Sequence, residues 1–77
     1  MTIETKRAID AKITELGNVG CIKFIRWIYP DVDAFALDRA AINGGIVRRI
    51  HAILRGENWD DLTQLFLNFD PRAIQLG

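Results

Sequence analysis

Ile46-Val47-Arg48-Arg49-Ile50-His51-Ala52-Ile53-Leu54-Arg55-Gly56 is the stretch that decides the fold. Its apolar residues Ile46, Val47, Ile50, Ile53 and Leu54 stand at i, i+1, i+4, i+7 and i+8. That spacing is one full face of an α-helix. Arg48, Arg49, His51 and Arg55 fill the remaining face, so the outer side of this helix is basic. Gly56 closes it.

Working outward, Asn43-Gly44-Gly45 separates this helix from residues 34–42, a run of helix formers behind Asp33, which suits an N-cap. Asn-Gly is also a hairpin signal, but the Ala-rich segment before it argues for a helix that ends there. On the other side, Asn58 can cap a further helix and Asp60-Asp61 complement its dipole. Leu62, Leu65, Phe66 and Phe69 then stand at i, i+3, i+4 and i+7, and Trp59 extends that stripe. Asp70-Pro71 ends this helix and begins a last short turn containing Ala73, Ile74 and Leu76.

The first half reads less plainly. Residues 2–16 carry a narrow stripe, Ile9, Ile13 and Leu16, with Thr2 or Thr5 as a cap and Gly17 as a stop; Ile3 falls off the stripe. Residues 21–29 are almost wholly apolar and rich in Ile and aromatics, a β-prone composition. Their only polar members, Lys23 and Arg26, are three apart, which places both on one side of a helix but on opposite sides of a strand. The spacing therefore predicts a helix, central to the core and stopped by Pro30. The expected fold is all-α, a compact bundle of five or six short helices in a single domain over residues 1–77.

Composition bounds the function. The chain has 77 residues, 49% of them hydrophobic, which is too apolar for a disordered segment. No apolar run approaches the roughly 18–20 residues of a membrane span, and no apolar signal core follows Met1, so the expected compartment is the cytoplasm, with no membrane partner. Ten basic and ten acidic residues give a net charge of zero, which counts against a dedicated nucleic-acid binder. The charges are segregated, however. Residues 46–56 carry Arg48, Arg49 and Arg55 and no acid, while residues 57–77 carry Glu57, Asp60, Asp61 and Asp70 against Arg72. Such a two-signed surface suits docking on a charged partner.

Chemistry-bearing patterns are sparse. His51 is the only histidine and is expected at the surface, between arginines. Cys21 is the only cysteine and reads as a packing thiol in an apolar stretch. One His and one Cys fall short of a zinc ligand set. Asp31 and Asp33 lack the Gly and Glu that a calcium loop needs at its sixth and twelfth positions, where Ala36 and Ile42 stand instead. Gly44-Gly45 belongs to no phosphate-binding pattern. The expectation is no cofactor, no metal and no enzymatic activity.

What remains is binding. Seven aromatic residues are plentiful for so small an interior, and Trp27, Tyr29 and Trp59, near helix ends, are placed for partial exposure. Trp, Tyr and Arg are typical interface anchors. The expected function is a small protein-binding regulator, inhibitor or adaptor, contacting its partner through Arg48, Arg49, Arg55 and Trp59; a second copy of the chain is a further expected partner. The alternative is a helix-turn-helix DNA binder over residues 34–55, in which Ala40, Gly44 and Ile50 match the small, turn and core positions. Arg39 and Asn43 depart from that motif, since it favours apolar residues there, and the flanking acidic segments would repel phosphate.

Overall fold

A computed structural model describes residues 2–56 and 59–73, the side chains of residues 59 and 60 excepted. It contains four helices: α1 (Ile3–Ile28), α2 (Ala34–Ile42), α3 (Gly45–Leu54) and α4 (Trp59–Leu67), with no strand among the described residues. The caps follow the sequence. Thr2 Oγ1 accepts from the Thr5 amide at 3.1 Å and Asp33 Oδ1 from the Phe35 amide at 2.9 Å, each satisfying a first-turn N–H that has no partner within its helix. The Asn58 cap lies outside the described residues.

Among the described residues four helices stand where five or six were expected. Gly17 does adopt a left-handed conformation, φ 69°, ψ −178°, but no loop follows it. Helical geometry resumes at once, so residues 3–16 and 18–28 are the two arms of one bent element. Gly20 completes the bend: a Cβ there would stand 2.7 Å from Leu16 Cβ, so only glycine lets Leu16 lie against the second arm. Past α4, the turn over residues 71–73 is held by Asp70, whose carbonyl accepts from Ala73 N–H at 3.0 Å and whose Oδ1 accepts from Arg72 N–H at 2.9 Å. Ile74 and Leu76, the rest of the expected last turn, lie outside the described residues.

The second arm of α1 is central, as its composition predicts. Cys21, Phe24 and Ile25 are buried there, with Ile9 from the first arm, and α3 covers them with Ile46, Ile50 and Leu54. Leu37 of α2 and Phe66 of α4 complete this core. Phe24 is its hinge-pin: the Phe66 ring meets it edge-on at 4.9 Å, Phe69 at 5.3 Å, and Trp27 lies 5.5 Å from Phe69. Edge-to-face pairs of this kind add about 0.5–1.5 kcal/mol beyond area burial. The Cα radius of gyration, 11.8 Å, is close to the roughly 11–12 Å of a packed chain of this length.

Two helices depart from their sequence stripes: Val47 of α3 is exposed, and α4 is turned about its axis. In α4, Leu65 is exposed and Thr63 is buried, because contact with Phe24 is made through Phe66 and rotates the inner face toward Thr63. In α2, Leu37 faces inward with Ala40 and Ala41 beside it, leaving Phe35 and Ile42 outside. No helix among the described residues is long and apolar enough to cross a membrane.

Candidate functional site

α3 presents the basic face. Burial of Ile46, Ile50 and Leu54 orients the helix, and the 3.6-residue period then directs Arg48 and Arg49 to solvent. Arg55 caps the C-terminus, its N–H donating to the His51 carbonyl at 3.1 Å, and its side chain is also exposed. Among the described residues none of the three arginines makes an ion pair. Trp59, expected beside them, belongs to α4 by its backbone, and its side chain lies outside the described residues.

Beside the arginines runs an apolar groove of about 370 Å³, lined by Ile25, Tyr29, Val32, Ala52 and Ile53, with Arg49 at its edge. It forms because α1 ends at Ile28 and the chain turns through Tyr29 and Val32, closed by the Val32 N–H donating to the Tyr29 carbonyl at 3.1 Å. Tyr29 is 47% exposed, in keeping with its place near a helix end. The sequence carried no signal for Val32, which reaches the groove only through this turn. A second, larger groove of about 510 Å³ lies between the end of α1 and α4, with Trp27, Leu65 and Phe69 as apolar lining and Asp61 and Asp70 as its charged members. One groove therefore carries a cation, the other two carboxylates.

His51 departs from expectation. Its side chain is only 16% exposed, and its Nε2 lies 3.1 Å from Asp10 Oδ1 of α1. The inner edge of α3's polar face thus rests on the first arm of α1, and the pair ties two helices together across forty-one positions of sequence. The carboxylate fixes the orientation of the imidazole ring, while Cys21 is wholly buried. Burial also pushes the Cys21 thiol up to about 11, so it carries no thiolate at neutral pH, the form a nucleophile requires. No group of three or more His, Cys, Asp and Glu side chains suited to a metal occurs among the described residues.

The site can therefore offer guanidinium groups to carboxylates or phosphates and an adjacent slot to an apolar side chain. Comparison with protein-family models, with curated proteins and with solved structures found no match to this chain.

Proposed function

We infer that the chain is a non-enzymatic protein-binding module that acts by docking, as a regulator, inhibitor or adaptor. The observation that carries this reading is the placement of exposed Arg48, Arg49 and Arg55 on one helix beside the groove of Tyr29, Val32 and Ile53. Together they fit an acidic segment of a partner protein that also carries an apolar anchor. Guanidinium groups pair with carboxylates in a bidentate, directional way, and the groove supplies a desolvated pocket for the anchor.

The DNA-binding reading keeps one observation in its favour. Gly44 is left-handed (φ 69°, ψ 11°), and a Cβ on Gly45 would stand 3.2 Å from the Ala40 carbonyl, a tight corner between α2 and α3 of the kind a helix-turn-helix uses. Against it, α1 covers α3 at His51 through Asp10, on a helix that would have to enter the major groove.

The test compares wild type with the double variant R48E/R55E, both confirmed as helical by circular dichroism. Affinity capture from a lysate of the source cells, read by mass spectrometry, should retain a protein on wild type and lose it on the variant. The same two proteins are titrated into a labelled mixed-sequence duplex at low and moderate salt. Equal capture by both proteins removes this face from the reading, and duplex affinity that falls steeply with salt replaces it with phosphate binding.

A further inference from the structure

The outer face of α2 carries the two most exposed large apolar side chains among the described residues. Phe35 is 76% and Ile42 83% exposed, and Asp38 and Arg39 between them are exposed as well. These four residues stand at i, i+3, i+4 and i+7, which is one continuous helix face. The opposite face is spent on the core through Leu37, Ala40 and Ala41. Neither Asp38 nor Arg39 makes an ion pair among the described residues.

The order along this face, aromatic, acid, base, aliphatic, is complementary to its own reverse. Set antiparallel to a second copy, about a twofold axis passing between residues 38 and 39, Phe35 lies opposite the other Ile42. Asp38 lies opposite the other Arg39, and Arg39 opposite the other Asp38. Both apolar ends are covered and both charges paired by one operation, as an isologous interface requires. We propose that the partner of this face is a second copy of the chain, docked antiparallel through α2.

Size sets the strength. Each Phe buries at most about 150–250 Å², so four apolar side chains on two short helices stay below the roughly 1,200 Å² of a standard stable interface. The dimer is consequently weak and concentration-dependent, and it uses a face distinct from the arginines of α3.

Sedimentation equilibrium of the full chain tests it from about 10 μM to about 1 mM, the range over which so small an interface equilibrates. Wild type should move from 8.7 kDa toward twice that mass. D38R and R39D, each setting like charges opposite each other, should remain monomeric, and F35S likewise. D38R/R39D, which restores the pairing in reverse, should dimerise as wild type does. An equimolar mixture of the two single charge variants should also dimerise, though neither does alone. A wild type that stays monomeric at 1 mM overturns the proposal, and so do single charge variants that dimerise undiminished, since another face would then be responsible.

Discussion

Gly17 and Thr63 show how much a single position carries in a domain this small. The backbone of Gly17, φ 69° and ψ −178°, lies where side-chain-bearing residues lose about 1–3 kcal/mol. A Cβ there would meet nothing within 4 Å, so the cost of Gly17→Ala is conformational alone. Urea denaturation should show a loss of about 1–3 kcal/mol with an unchanged slope. Thr63 is buried, and its hydroxyl has no hydrogen-bond partner among the described residues. Thr63→Val keeps the shape and removes the desolvated oxygen, so stability should rise by about 1 kcal/mol in the same assay. A loss instead would reveal a partner for that hydroxyl. Gly17 was legible as a special position from its place after the Ile9, Ile13, Leu16 stripe. Thr63 was not, because a threonine among acids and leucines reads as solvent-facing until α4 is docked.

The elements owe their boundaries to local chemistry. α2 begins at the residue after Asp33 and ends where Asn43-Gly44 turns the chain, as its residue types predict. Loss of the Asp33 side chain in Asp33→Ala orphans the Phe35 N–H, and a capping bond of this kind is worth about 0.5–2 kcal/mol. The variant should lower the melting temperature by several degrees, with Asp33→Asn recovering most of the loss. α1 shows where local reading stops. A glycine that ends a stripe predicts a helix end, yet whether the next residues form a loop or a second arm depends on the packing of Leu16 over Gly20. The arginines of α3 were legible as a basic surface, whereas the turn of His51 toward Asp10 was not. The groove beside it was not, because Tyr29 and Val32 reach it from another element.

The whole molecule is organised around Phe24, which touches Phe66, Phe69 and Trp27. Phe-to-Ala changes in a core cost about 3–5 kcal/mol, comparable with all the stability that a single core of this size supplies. Phe24→Ala should therefore be largely unfolded at 25 °C by circular dichroism, while Phe24→Leu should fold with reduced stability. Cys21 reports the same core from inside. With the folded thiol near 11 and the unfolded one at 9.0, the unfolded chain releases its proton first as pH rises. Stability should then be level below pH 9 and fall toward pH 11 by up to about 1.4 kcal/mol per unit. Cys21→Ala, compared by urea denaturation at pH 8 and pH 10.5, should remove that slope. At pH 8 a thiol reagent should label Cys21 only as fast as the fold opens.

The sequence by itself determined that the described residues are helical, that α3 carries an apolar stripe, that Asp33 caps α2, and that Arg48, Arg49 and Arg55 share the outside of one helix. Periodicity, capping and turn chemistry act over four or five residues, so they are complete in the linear chain. Tertiary structure alone decided that α1 is one bent element, that His51 meets Asp10, that Thr63 goes in while Leu65 stays out, and that Phe35 and Ile42 are left uncovered. Each of these depends on which surface a helix finds opposite it, and that surface comes from residues distant in sequence, whose approach is set by close packing around Phe24.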